Sequence, residues 1–165
     1  ALDEAGVPTS RRVLAALGPK VLKLAAQRSA GAHPYLTTPE HTASARELVG
    51  PSVFLAPEHK VVLSTDAAAA REAGREAVGF YLRLSNYVNN WRRLGFSDRD
   101  VRVPGSDRLI DAVVAHGTAD EIATRLGEHL EAGADQVTIQ VLGGWKNLLP
   151  TLAELAGPLG LTPRG

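Results

Sequence analysis

Residues 13–35, VLAALGPKVLKLAAQRSAGAHPY, hold two short apolar runs with a helix-like segment between them. The first run, taken back to Arg12 as RVLAA, is unbroken rather than alternating, the pattern of a strand covered on both faces. Gly18-Pro19 then opens a helix, because proline suits the first helical position, where its missing N–H would have had no partner. On that helix Val21, Leu24, Ala25 and Arg28 fall on one side. The second run, GAHPYL, closes on His33-Pro34-Tyr35. Strand, helix and strand in this order predict parallel pairing through a right-handed crossover. Both turns, Gly18-Pro19 and His33-Pro34-Tyr35, then face one rim.

Downstream the alternation continues. Thr38 is a good N-cap with Pro39 at the first helical position, and that helix runs to Leu48 or Val49 before Gly50-Pro51 stops it. VFLAPEHKVVLS, residues 53–64, reads as a third strand region interrupted at Pro57. Thr65 or Asp66 caps a long alanine-rich helix over 67–84, with Ala73, Ala77 and Phe80 at helical spacing. SNYVNNWRRLGF continues as helix, Ser97 to Ser106 is polar loop, and residues 107–117 predict another helix. Thr118 with Glu121 forms a capping box for a helix ending at Gly133. QVTIQVLGG is the fourth strand, and residues 147–160 a final helix.

Four strands cannot close an eight-stranded barrel, which needs at least about 200 residues. The expected fold is therefore α/β with a parallel sheet. It is either a small open sheet or a partial (β/α)8 TIM-type barrel, roughly the last four strands with inserted helices. At 165 residues one domain, 1–165, is expected. The chain has no methionine, and ALDEAGVP reads as a helix end followed by a turn, so the domain is expected to start in mid-fold and to be N-terminally incomplete.

Composition removes several function classes. Eighteen basic residues balance eighteen acidic ones, and no basic stripe is interleaved with aromatics, so nucleic acid is not an expected partner. No uncharged apolar run approaches the roughly 18 residues of a membrane helix, and the N-terminus lacks the order of a signal peptide. Without cysteine, disulfide and thiolate chemistry are excluded. The cytoplasm is the expected compartment. His41, His116 and His129 lack metal-ligand spacing, and neither a G-x-S-x-G elbow nor a G-x-G-x-x-G turn occurs.

Two turns and one strand carry the candidate chemistry. At Gly18-Pro19 a glycine turn opening a helix points free N–H groups and the positive dipole end at one spot, which suits a phosphate, with Lys20 adding charge. The same residues also make a plain strand-to-helix turn. His33-Pro34-Tyr35 lies at the C-terminal end of the next strand, where α/β sheets place ligands; alternatively Tyr35 is a core lid and Pro34 a bend. In Glu58-His59-Lys60, residues 58 and 60 share a side and His59 is alone, so an ion pair at the start of the strand is expected. The group Tyr81, Asn86, Tyr87, Asn89, Asn90 and Trp91 either covers a barrel mouth or is an amphipathic helix.

Three segments in this order, AALGPKVLKLAAQRSAGAHPYLTTPEHT, LAPEHKVVL and GTADEIATRLGEHLEAGADQVTIQV, resemble the C-terminal half of the luciferase-like monooxygenase superfamily. The nearest resemblance is to its coenzyme F420-dependent oxidoreductases, and it covers about Arg12 to Val141. The resemblance implies a (β/α)8 barrel near twice this length. It also implies reduced F420, or alternatively FMN, at the C-terminal rim, with hydride transfer or monooxygenation of a small organic substrate. The cofactor-binding positions it implies are Ala16, Leu17, Gly18 and Pro19 at the first turn and His33, Pro34 and Tyr35 at the second. Leu17 departs from the family, where a second glycine is common. Catalytic groups in the family come largely from its first strands, so none is assigned here.

The leading expectation is thus a flavin- or deazaflavin-dependent oxidoreductase, present as a C-terminal fragment with a small-molecule substrate. The alternative is a non-catalytic half-barrel that only pairs with another subunit or with a second copy as a homo-oligomer, since its first and last strands are otherwise bare edges. A third is another phosphate-binding barrel enzyme, an isomerase or lyase.

Overall fold

A computed structural model describes residues 2–161. After a single 3-10 turn at Thr9–Arg11, strand β1 (Val13–Leu14) leads into helix α1 (Pro19–Arg28), β2 (Gly31–Ala32) and α2 (Pro39–Val49). The third strand region is split at Pro57 into β3 (Phe54–Leu55) and β4 (Glu58–Leu63). Then come α3 (Ala67–Val78), a 3-10 turn at Tyr81–Arg83, α4 (Ser85–Arg93), α5 (Asp107–Val113), β5 (Val114–Gly117), α6 (Ala119–Glu131), β6 (Thr138–Val141) and α7 (Trp145–Ala156).

All named strand pairs are parallel: β1-β2-β3 form one sheet and β5-β4-β6 the other. The two meet along residues 54–63. The N–H groups of Phe54, Ala56 and Glu58 bond carbonyls of Ala30, Ala32 and Pro34, so even-numbered backbone faces β2. Carbonyls of Leu55, Pro57 and Val61 bond the β6 side, at Asp135, Thr138 and Leu142. Because β5 pairs with β4 from Lys60↔Val114 to Leu63↔Gly117, it occupies the same edge as β2, one level higher. Close approach explains Gly31: a Cβ there would collide with the Phe54 carbonyl.

Strand alternation then sorts the side chains. Val61 faces the helices, in a core with Ala115, Ile122, Leu126 and Leu155. A second core, including Leu22, Ala25, Ala32, Ala45 and Leu55, lies between the first sheet and α1/α2. The third, built around Leu36, Trp91, Leu109 and Ile110, joins the 64–113 segment to the strands.

Three elements differ from the sequence reading. α1 buries Leu22 and Ala25, while Val21 and Leu24 are 42% and 47% exposed. The predicted 67–84 helix stops at Val78, and its buried stripe is Ala70, Gly74 and Val78 rather than Ala73, Ala77 and Phe80; Phe80 is 66% exposed. The stripe follows the partner, since Gly74 sits against Ile110 and Val114. The predicted 107–117 helix ends at Val113, where Val114–Gly117 find strand partners on β4; β-branched valine suits that exchange. The predicted caps are present: Thr38 accepts from the His41 N–H, and Thr118 and Glu121 form the capping box. No helix among the described residues is long and apolar enough to cross a membrane.

Candidate functional site

The two turns lie side by side because their strands are adjacent and parallel, the His33 N–H bonding the Leu14 carbonyl at 2.8 Å. At the first turn Ala16 is buried in the core, and the Leu17 carbonyl accepts from His41 Nε2 at 2.8 Å. Gly18 caps α1 with φ −88 and Pro19 is the first helical residue. At the second turn the His33 ring donates from Nδ1 to the Ala56 carbonyl at 2.6 Å. The Pro34 carbonyl accepts the Glu58 N–H at 2.9 Å, and Tyr35 bridges to Glu58.

One helix touches both turns. On α4, Trp91 Nε1 donates to the Leu36 carbonyl at 3.1 Å, and Tyr87 packs edge-on against Tyr35 with ring centroids 6.3 Å apart. Arg93 Nη2 lies 3.5 Å from where a Gly18 Cβ would stand. Leu36 has φ 52, a left-handed conformation that costs a branched or bulky residue about 1–2 kcal/mol. The Trp91 bond and its own burial hold it there.

Two side chains with unpartnered buried polar atoms, His41 and Asn90, line one cavity beside the first turn. Side-chain atoms with no hydrogen-bond partner among the described residues include Thr37 Oγ1, His41 Nδ1 and Asn90 Nδ2. Each such group costs about 1–3 kcal/mol, and an ordered water, an ion, a catalytic role or stored strain accounts for it in a native fold. His41, Asn90 and Arg93 line a cavity of about 150 Å³ with Leu17, Pro19 and Leu22. Burial lowers the His41 pKa, and the Arg93 charge pushes the same way. His41 therefore stays neutral, donating at Nε2 and offering an unused acceptor at Nδ1.

A polar cluster occupies the inner face of the strands next to the second turn. Lys60, only 2% exposed, donates from Nζ to Tyr35 Oη at 2.8 Å, to Glu58 Oε1 at 3.4 Å and to Gln140 Oε1. It also sits 4.4 Å from the Tyr35 ring centroid. Tyr35 Oη is 3.0 Å from Tyr81 Oη, and Tyr81 packs on Tyr87 at 4.8 Å. Burial lowers the Lys60 pKa and raises that of Glu58, each offset by the other's charge. Tyr35 is raised by burial; Tyr81 is pushed up to about 12, first by its bond to Tyr35 and then by burial. Both phenols are donors at neutral pH.

The sequence places Glu58 and Lys60 on one side, as observed, and His59 alone on the other. It does not find Arg93, which reaches the first turn from α4, nor Gln140 at the lysine, and it names Asn90 and Tyr81 without placing them. The available signal was the amide- and aromatic-rich run from Tyr81 to Trp91, which lacks an address without tertiary structure.

No family model matches the sequence, and no curated protein does. Solved structures match at the level of fold. The coenzyme F420-dependent tetrahydromethanopterin reductase of Methanopyrus kandleri has TM-score 0.62 and 20% identity, covering 78% of this chain and 44% of its own. EDTA monooxygenase of Chelativorans sp. BNC1 has TM-score 0.64 and 14% identity, covering 93% and 45%. The oxygenating constituent of 3,6-diketocamphane monooxygenase from Pseudomonas putida, in complex with FMN, has TM-score 0.56 and 14% identity, covering 87% and 47%. The chain spans about half the length of the structures it matches. These three are members of the luciferase-like monooxygenase family, and what the chain shares with them is their parallel α/β fold.

Proposed function

We propose that the chain forms four neighbouring strands of a luciferase-type (β/α)8 barrel, and that this barrel is a flavin- or deazaflavin-dependent oxidoreductase of a small organic substrate. F420 is the favoured cofactor and FMN the alternative. The parallel order β1, β2, β3/β4, β6 supports the arc, and neighbours named for F420 and FMN support the chemistry. When bound and reduced, the cofactor supplies hydride.

One observation carries the cofactor site: His41 and Asn90, each with an unpartnered buried polar atom, line one cavity with Leu17 and Pro19 of the first turn. The residues fit a phosphate-bearing tail. The start of α1 presents its positive dipole end, Asn90 Nδ2 is an unused donor, and Arg93 adds a cation beside Gly18. In this reading Ala16, Leu17, Gly18 and Pro19 hold the tail from one side and His33, Pro34 and Tyr35 from the other. Neutral His41 contributes no charge to the anion. A second reading, a non-catalytic half that pairs with another subunit, is favoured by apolar flanks such as Trp145, 88% exposed.

Fluorescence titration of the chain with F420 and with FMN separates the two. Saturable binding is expected, weakened about tenfold or more by Arg93→Ala, the loss of a charge-assisted bond of about 1.5–3 kcal/mol. Gly18→Val should also weaken it while leaving the melting temperature nearly unchanged, since φ −88 accepts a side chain and its Cβ would meet Arg93 Nη2 at 3.5 Å. Wild-type affinity in both variants would remove this turn from the site; no binding by the wild type would favour the second reading.

A further inference from the structure

We infer that His41 sets the specificity of the cavity beside the first turn: the anion it takes must carry one O–H, as hydrogenphosphate or a protonated phosphate monoester does. Two contacts fix the donor directions, because each has a partner that acts in only one sense. A backbone carbonyl can only accept, so in the 2.8 Å contact with the Leu17 carbonyl His41 Nε2 carries the ring proton. Nδ1 of the neutral ring is then a bare acceptor, and it has no partner among the described residues. A guanidinium can only donate, so the Asn90 atom 3.3 Å from Arg93 Nη2 is the amide oxygen. That leaves Asn90 Nδ2 as an unpartnered donor.

These two side chains are 5% and 2% exposed, and they share the wall of a cavity of about 150 Å³ with Leu17, Ser44 and Arg93. One water needs roughly 10–15 Å³ of such space, so the cavity admits a group of several heavy atoms. Its wall presents one acceptor, one donor and one cation. An anion made only of acceptor oxygens satisfies Asn90 and Arg93 but sets a second lone pair against His41 Nδ1. An oxyanion with a single O–H satisfies all three, donating to His41 and accepting from the other two. Ring protonation would remove this demand; burial, the largest influence, and the Arg93 charge oppose it, against a smaller pull from the Leu17 bond. A pocket built to bond a hydroxyl rejects analogues lacking it far better than an apolar pocket rejects a misfit.

Free phosphate and the end of a phosphate monoester such as FMN share this chemistry. That the anion belongs to a cofactor tail rests on the reading proposed above; the need for an O–H rests on the two contacts alone.

The probes are inorganic phosphate and sulfate at equal ionic strength near neutral pH, where every phosphate ion keeps at least one O–H and sulfate keeps none. In calorimetric titrations of the wild-type chain, phosphate should bind saturably and sulfate about tenfold more weakly or worse, the cost of one unsatisfied buried acceptor. His41→Phe should bring the two affinities together, whereas Asn90→Leu should weaken both and keep their ratio. A second readout needs no variant: nitrogen NMR of the wild-type ring should show Nδ1 unprotonated, its resonance shifting with phosphate and not with sulfate. Equal affinities in the wild type, or a protonated Nδ1 in the free chain, would overturn the proposal. So would absence of saturable phosphate binding, and with F420 or FMN still bound that result would spare the cofactor reading. Phosphate that competes with F420 or FMN supports a tail in this cavity. Phosphate that binds alongside them, its preference over sulfate intact, removes the tail from here and leaves the role of His41 standing.

Discussion

On β4 the pleat sends residues 58 and 60 to the side that meets Tyr35 and Gln140 and drives His59 into the helices. His59 Nδ1 meets His129 Nε2 at 3.0 Å, and His129 Nδ1 meets Thr42 Oγ1 at 2.8 Å. Two neutral rings satisfy these contacts and leave His59 Nε2 unpartnered. Burial holds the His59 pKa well below 6.5 and, with the Arg125 charge, brings His129 to about 4. The unfolded chain therefore takes up protons below pH 6.5 that the fold refuses, so stability rises with pH in this window and is lost as pH falls. The melting temperature should drop steadily from pH 6.5 toward 4, the range set by His129; a flat profile there would show that the rings accept charge inside the fold. Alternation made this split of residues 58–60 legible in the sequence. The partner of His59 was not, because it stands 70 positions away.

Elements were legible where the signal is local. Proline after a capping threonine marks α2, and a threonine with a glutamate three residues on marks α6. α3 was misread because alanine favours helix without saying which alanine faces inward. That choice belongs to α5, whose Ile110 needs a residue without a side chain opposite it. Gly74→Ala tests this. In an exposed helix it would stabilise by about 1 kcal/mol. Here the new methyl would stand 2.6 Å from Ile110 Cγ2, and such overpacking costs about 1–3 kcal/mol. Calorimetry should record a melting temperature lower by a few degrees; a rise would mean that α3 and α5 separate freely. The end of α5 was misread for a related reason, since Val113 and Val114 look alike until β4 offers one of them a ladder.

At the scale of the whole molecule, β1 and β6 each have one strand neighbour among the described residues. Both flanks carry apolar side chains: Val13, Val21 and Leu24 at one, Trp145 and Leu149 at the other. Bare parallel edges beside exposed apolar surface favour association. Sedimentation velocity should find the chain increasingly associated as concentration rises, and Trp145→Ser with Leu149→Gln should shift it toward monomer; a concentration-independent monomer would contradict this account. Parallel pairing of the strands could be read from the repeated strand-helix pattern, whereas β5 and the bridging position of α4 required the fold.

The strand that joins the two sheets also imposes a timetable on synthesis. Its inner-face lysine meets Gln140 across 80 positions of chain, so β4 leaves the ribosome long before β5 and β6 exist to flank it. At about 5–20 residues per second, that edge waits several seconds for its last neighbour, with the constellation around Lys60 still unassembled. Loop closure over such a span is slow, and the finished inner face is among the last features the nascent polypeptide acquires.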